Sequence, residues 1–234
     1  ETRSVAGKRA DDWSYPVAIN KESYNDEQIN ALRKGDLASC FGTAFENLSL
    51  TNPAGLPGGK MTLVHRILSL EPEGGRFGLG IITGEADIHP DDWFLTCHFV
   101  DDQVMPGTLM YECCLHTLRV YLLRMGWVGE AEEFVYEPIV GVTSKLKCRG
   151  QVLATTKKVQ YEISLKEIGY SEESNTPYVI ADALMYGDGK AIVQMSNMSL
   201  QLTGLSRQRI ESIWANVGTK SGSLADNKET TLFD

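Results

Sequence analysis

His98 stands nine residues before Gly107, and Glu112 stands five after it, along a strongly apolar segment. A histidine near its intrinsic pKa of roughly 6.5 can take a proton at neutral pH, and a carboxyl held among apolar side chains has its pKa raised and can donate one. Pro106, ahead of Gly107 and Thr108, suits the edge of a helix, where unpaired N–H groups and a partial positive charge polarise a carbonyl oxygen. Gly107 carries no side chain to hold a ligand off the backbone. Each feature also has a plain structural reading: Pro-Gly as a turn, a lone histidine as a surface or hydrogen-bonded core residue, a lone helical glutamate as a solvated one. Taken together they describe an acid-base pair beside a carbonyl-polarising helix start.

Other chemistries find less support. His89, His98 and His116 lie near the pairs Asp91-Asp92 and Asp101-Asp102, but no HxxxH or HExxH spacing puts two ligands on one helical face and no CxxC knuckle exists, so no metal site is expected. Gly78-Leu79-Gly80 with Gly84 misses the dinucleotide spacing by one residue and precedes no helix; neither a P-loop nor a GxSxG elbow occurs. A net charge of −9 without a basic stripe argues against nucleic acid as partner. No apolar run reaches the roughly 18 residues of a membrane helix, and the start of the chain lacks a signal peptide's apolar centre. Cys40, Cys97, Cys113, Cys114 and Cys148 have no framework spacing and sit in apolar surroundings, which reads as reduced and intracellular; the adjacent Cys113 and Cys114 read as small core fillers. The sequons at Asn47 and Asn197 then carry no weight. The start at Glu1-Thr2-Arg3, without an initiator Met, reads as an excised or processed piece of a longer polypeptide.

The elements that must position these residues follow from periodicity. Residues 1–24 are polar and irregular and read as a linker or an arm laid over a neighbour. Asn25 or Asp26 can cap a short helix to about Arg33, and Leu37 to Phe45 is a second short apolar piece. Strands are predicted over Met61–Leu70, Phe77–Ala86, Val135–Gln151, Val159–Ile168, Tyr178–Tyr186 and Ile192–Leu202, rich in β-branched and aromatic residues between Gly, Pro and Asn punctuation. The one long helix, about Thr108 to Met125, is apolar round most of its circumference and must be the core. Its polar exceptions are Tyr111, Glu112, His116, Thr117, Arg119 and Arg124. Strands in succession need only short connections, so a single antiparallel sheet wrapping one central helix is expected, an α+β plan. From Arg207 the chain turns polar, with a short helix around Ile210 to Trp214 and then a linker-like tail. The organisation read here is an N-terminal extension over 1–50, a main domain over 51–205 and a C-terminal extension over 206–234.

These residues resemble the hotdog-fold β-hydroxyacyl-acyl-carrier-protein dehydratases, most closely the β-hydroxydecanoyl type and the related domains of polyunsaturated fatty acid and polyketide-type synthases. The resemblance runs from about Leu56 to Leu205 and rests on Glu85-Ala86-Asp87-Ile88-His89-Pro90-Asp91-Asp92-Trp93-Phe94, Cys97-His98-Phe99, Val104-Met105-Pro106-Gly107, and Gly150-Gln151-Val152-Leu153 with Lys157-Lys158-Val159, all in family order. It implies a hotdog fold in which His98 takes the α proton of a 3-hydroxyacyl thioester and Glu112 protonates the leaving 3-hydroxyl. Gly107 polarises the thioester carbonyl, with Met105, Pro106 and Thr108 beside it as substrate-binding residues. The product would be a trans-2-enoyl thioester.

The resemblance also implies a cytoplasmic enzyme without metal or organic cofactor, its substrate carried on the phosphopantetheine of an acyl carrier protein. Histidine and carboxylate would face each other across a homodimer, or across a pseudo-dimer with a neighbouring hotdog domain. Glu112 stands where the decanoyl type has aspartate, so isomerase activity is not carried over; His65-Arg66 replaces Asp-Arg, and Gln103 replaces a proline. Carrier proteins are acidic, and Lys145, Lys147, Arg149, Lys157 and Lys158 are the candidate docking patch, with a solvated strand face as the alternative. A hotdog thioesterase and a catalytically silent scaffold are the rival functions.

Overall fold

The computed structural model describes residues 6–226, with side chains through residue 217. In chain order the elements are β1 (Glu22–Tyr24), α1 (Asp26–Leu32), α2 (Leu37–Phe41), β2 (Arg66–Glu71), β3 (Ile81–Asp87), α3 (Trp93–Cys97), α4 (Gly107–Arg124), β4 (Val135–Glu137), β5 (Lys145–Cys148), β6 (Lys158–Tyr170), β7 (Pro177–Gly187), β8 (Lys190–Thr203) and α5 (Arg207–Asp226). All the strands join one antiparallel sheet in the order β1-β2-β3-β6-β7-β8, and both β4 and β5 lie along the outer edge of β8.

Alternation decides which face of the sheet is buried. Val159, Tyr161, Ile163 and Leu165 of β6 and Val179, Ala181, Ala183 and Met185 of β7 point inward at every second position, and the face they make packs on α4. A helix so placed has little surface free for polar residues, and Cys113 through Leu118 are all buried, His116 and Thr117 included. The stripe left partly open runs Thr108, Tyr111 with Glu112, and Arg119, spaced three, four and seven residues apart as one helical face requires.

Helix and sheet meet closely at Gly84. A Cβ there would stand 2.8 Å from Thr117 Oγ1 and 3.3 Å from Val64 Cγ1. Gly84→Val is therefore expected to cost about 2 kcal/mol through overpacking, read as a fall in the urea midpoint; an unchanged midpoint would mean that the helix has room to move off the sheet.

Three departures from the sequence expectations have local causes. The single strand predicted over Val135–Gln151 is two, β4 and β5, because Pro138 has no N–H for a ladder and Val142 N–H turns back onto Ile139 O. The strand predicted from Phe77 starts only at Ile81, after a loop closed by Gly80 N–H on Gly74 O, and the one predicted from Met61 starts at Arg66. β1 and α3 are absent from the sequence expectations, being three and five residues long and too short to display a period.

Residues flanking the sheet pack into the same core. Asn25 caps α1 in a capping box with Gln28, and Ile29, Leu32, Leu37, Cys40 and Phe45 are buried. Trp13 stacks its edge on Trp127 and lies beside Tyr170, at ring centroid distances of 6.1 and 5.8 Å. Glu22 forms a two-point ion pair with the buried Arg124, 2.6 Å on each arm. The helix expected around Ile210–Trp214 extends from Arg207 to Asp226, with Ile210 and Ile213 buried and the Trp214 indole donating to Gly126 O at 2.8 Å. Positions 227–234 of the expected tail lie outside the described residues. No helix among the described residues is long and apolar enough to cross a membrane.

Candidate active site

His98 is the residue that ends α3, and its imidazole is held from both sides of a tight loop. Nδ1 lies 2.7 Å from Val104 O, and Val104 N–H returns a hydrogen bond of 2.8 Å to His98 O. A carbonyl only accepts, so Nδ1 carries the proton in the neutral ring and Nε2 keeps its lone pair. That is the tautomer a base needs. The loop is pinned in turn by Met105 N–H on Val152 O and by the bridge between Val104 and Leu153. The His98–Phe99 peptide is cis, and the two rings lie 3.9 Å apart, centroid to centroid.

The start of α4 has the character expected of it. Pro106 is the N-cap and supplies no side-chain acceptor, while Leu109 and Met110 N–H both turn to Pro106 O. The amides of Gly107 and Thr108 belong to the group that an α-helix leaves without internal partners. A Cβ on Gly107 would meet only Leu146 and Cys148 of β5, at the ordinary distances of 3.6 and 3.8 Å, so β5 forms the wall opposite this helix end.

Glu112 departs from its expected electrostatics. In place of a carboxyl raised by burial, the structure holds one whose pKa is lowered, first by a hydrogen bond from His116 and further by the charge of Arg119, against a smaller opposing effect of burial. His116 Nε2 sits 3.5 Å from Glu112 Oε2, one turn on, and is itself buried. The cause is the open stripe of α4, which leaves Glu112 half-exposed beside a donor. Sequence reasoning marks His116 as a polar exception and weighs it as a metal ligand, but does not pair it with Glu112, although the i,i+4 spacing is visible along the chain. The Val104 carbonyl that orients His98 is a backbone group, and no residue type announces it.

No hydrogen bond or ion pair joins His98 and Glu112 within the single chain: each has another partner, and His98 is not among the groups acting on Glu112. Of the candidate binding residues, Met105 is buried and lines a cavity of about 300 Å³ with Leu63, Ile88, Phe94 and Tyr161, whereas Thr108 is exposed and Pro106 and Gly107 are half-buried. That cavity is not lined by His98 or Glu112.

A second polar cluster supports the sheet beside it. Arg66 on β2 binds Asp26 at 2.7 and 3.0 Å, Glu85 at 2.7 Å and Asp87 at 2.5 and 3.2 Å, and Lys158 and Gln160 complete the shell of the buried Glu85. Asp26, His65 and Asp87 are close enough to chelate an ion. Both carboxylates are already taken up by the Arg66 guanidinium, a structural use of charge. Of the candidate docking patch, Lys158 is committed to Glu85 and Asp87, while Lys145, Lys147, Arg149 and Lys157 are exposed and without ion pairs among the described residues. Cys113 and Cys114 are fully buried, and burial pushes the Cys113 thiol up to about 12, so both are inert core atoms; Cys97 and Cys148, expected in apolar surroundings, are exposed.

A family model described as "FabA-like domain" matches residues 56–196. A polyunsaturated fatty acid synthase polypeptide of Thraustochytrium sp. (strain ATCC 26185 / S-3) is 33% identical over 178 residues, which is 76% of this chain and 12% of that protein. The chain thus spans about an eighth of the length of this curated relative. Among solved structures, "The Dehydratase Heterocomplex ApeI:P from Xenorhabdus doucetiae" aligns with a TM-score of 0.43 at 10% identity, covering 67% of this chain and 91% of that one. A hypothetical thioesterase with coenzyme A from Streptococcus pneumoniae TIGR4 aligns with a TM-score of 0.37 at 7% identity, covering 54% and 80%.

Proposed function

The chain belongs to the FabA-like domain family, with an α+β hotdog fold, and from that premise we propose that it removes water from 3-hydroxyacyl thioesters as a dehydratase domain of a fatty acid or polyketide-type synthase. The observation that carries the proposal is the fixed tautomer of His98, whose Nδ1–H is spent on Val104 O, in a segment that leads straight to the open amides of the α4 start.

In the proposed reaction those amides receive the thioester oxygen, which makes the α C–H acidic. His98 Nε2 takes the α proton. The electron pair left on C2 forms the C2=C3 double bond as the C3–O bond breaks, and the departing hydroxyl leaves as water with a proton from Glu112. Glu112 must then be protonated when substrate is bound. Its pKa is depressed in the single chain because the hydrogen bond from His116 outweighs the effect of burial, the side chain being still half-open to water. Covering the Glu112 end of the α4 stripe with substrate and a second hotdog copy removes that water and favours the neutral acid. His98 of one copy and Glu112 of the other are proposed to share each site. This chemistry calls on no metal or organic cofactor.

The experiment is to incubate the protein with a 3-hydroxyacyl pantetheine thioester and follow enoyl thioester against free thiol. Enoyl product supports dehydration. Free thiol in its place would identify a thioesterase, and neither product from a folded dimer would leave a scaffold.

We also propose that an acyl carrier protein delivers the substrate to the basic edge strand beside Gly107. Reversing the charge of Lys145, Lys147 and Arg149 to Glu is expected to raise KM for the carrier-bound substrate about tenfold and to leave the pantetheine thioester unaffected. Equal effects on both substrates would place the defect in the fold and not in docking.

A further inference from the structure

On the open stripe of α4, two turns beyond Glu112, Arg119 faces a cleft of about 390 Å³ that the proposed chemistry does not use. Its charged walls are Arg33, Lys34 and Arg119, joined by Asn52 and Tyr136, and no carboxylate lines it. Three enclosed polar atoms of these lining residues, Arg33 Nε, Arg119 Nε and the Tyr136 hydroxyl, have no hydrogen-bond partner; among the described residues only two other buried side-chain atoms share that state. Leaving such groups unpaired is costly, so three around one cleft call for an explanation.

Four other arginines set the contrast. Arg66, Arg124, Arg207 and Arg209 each bind a carboxylate at 3.0 Å or less. Arg119 has no hydrogen bond and no ion pair among the described residues; the Tyr136 ring lies 4.3 Å from its guanidinium carbon, and its charge acts on Glu112 without direct contact. Arg33 reaches Asn30 and Val64 O with its terminal nitrogens and keeps Nε free; burial lowers its pKa, the mark of a cation short of counter-charge. Asp36, on which the charge of Lys34 acts, is taken up in capping α2 through Ser39 N–H, and three further acids are likewise committed. Asp26 is bound by Arg66, Glu112 by His116, and both oxygens of Glu130 are taken at 2.7 Å by the amides of Thr51 and Asn52. The C-terminal end of α1 accounts for a cation at Arg33 or Lys34, but not for Arg119, which comes from another helix. The cleft is also rigidly made. Leu56 N–H bonds Leu32 O, and a side chain on Gly55 would run into that same carbonyl, so the loop from Asn52 to Pro57 is set against α1 by backbone contact.

We propose that this cleft, lined by Arg33, Lys34, Arg119 and Tyr136, binds a phosphate-type dianion, a small turn of the Tyr136 side chain bringing its hydroxyl to the ligand. Guanidinium forks and a phenol O–H match tetrahedral oxygens, and two or three cations match a double negative charge. The proposal stands apart from the dehydration reading, since it needs neither His98 nor Glu112.

The test titrates the purified protein, in chloride buffer, with inorganic phosphate and separately with 4′-phosphopantetheine, reading heat of binding and the thermal midpoint. Saturable binding of one equivalent is expected, abolished in Arg119→Gln and about tenfold weaker in Tyr136→Phe, which keeps the ring and removes only the hydroxyl. Tighter binding of phosphopantetheine than of phosphate would identify the anion as part of a longer ligand, and equal binding would identify a free oxyanion; either upholds the site. Lack of saturation by both probes, or unchanged affinity in Tyr136→Phe and in a folded Arg119→Gln, overturns it.

Discussion

Replacing His98 with asparagine is expected to lower enoyl thioester formation by about 10³-fold while leaving the fold in place. The asparagine amide can still donate to Val104 O, as Nδ1 does at 2.7 Å, so the loop between α3 and α4 keeps its inner bond. What disappears is Nε2, the only basic atom the proposal places at the α carbon. His98→Ala, which loses the orienting bond as well, should fall at least as far and also disturb the loop. The loss belongs in kcat, because the imidazole acts in the transition state and contributes little to ground-state binding. Glu112→Gln should produce a loss of similar size. Coexpressing the two variants, so that mixed dimers form, should restore part of the activity, since one of the two shared sites then has both an intact histidine and an intact carboxyl. Full activity in His98→Asn would remove the base from the mechanism and the proposal with it.

The second large effect concerns stability. Arg66→Met is expected to cost about 2–3 kcal/mol at neutral pH, below the roughly 3–5 of a fully buried pair because water screens Asp26 and Asp87. Only Glu85 is deeply buried, and Lys158 and Gln160 remain to it. The pH dependence is a sharper signature. Hydrogen bonds and charge from Arg66 hold Asp87 down at about 2, and hold Asp26 below the usual carboxylate range. Carboxylates with depressed folded pKa values stabilise the fold above their unfolded pKa of roughly 3.9, and that contribution is lost as pH falls from about 4 towards about 2. Urea midpoints of the unmodified protein should drop over this window. In Arg66→Met three carboxylates face each other with one lysine, so acidification from neutral pH relieves repulsion and the same limb should flatten or reverse. Parallel acid limbs in the two proteins would mean that Arg66 does not set these pKa values.

Much of the fold is legible from residue order. The period of two in β6 and β7, the uninterrupted apolar run of α4 and the Asn25 cap are written in neighbours a few positions apart, and local physics reads them directly. The linear order of His98, Pro106-Gly107 and Glu112, inside a segment that matches the FabA-like model, likewise needs no coordinates to be noticed. Short or interrupted pieces are not legible: α3 is too brief to show a period, and Pro138 divides what hydrophobicity alone joins.

What only the tertiary structure decided depends on groups far apart in the chain. Arg66 meets Asp26 across 40 residues and Arg124 meets Glu22 across 102, and no local rule pairs them. The tautomer of His98 follows from a backbone carbonyl six residues on, and the ionisation of Glu112 from His116 and Arg119 on a stripe that the sheet leaves open. The cationic cleft is assembled from α1, the loop at Asn52, α4 and β4. Side-chain period is a property of the local backbone, whereas charge and protonation are set by whatever the fold brings within a few ångströms; the first can be read along a line and the second only in space.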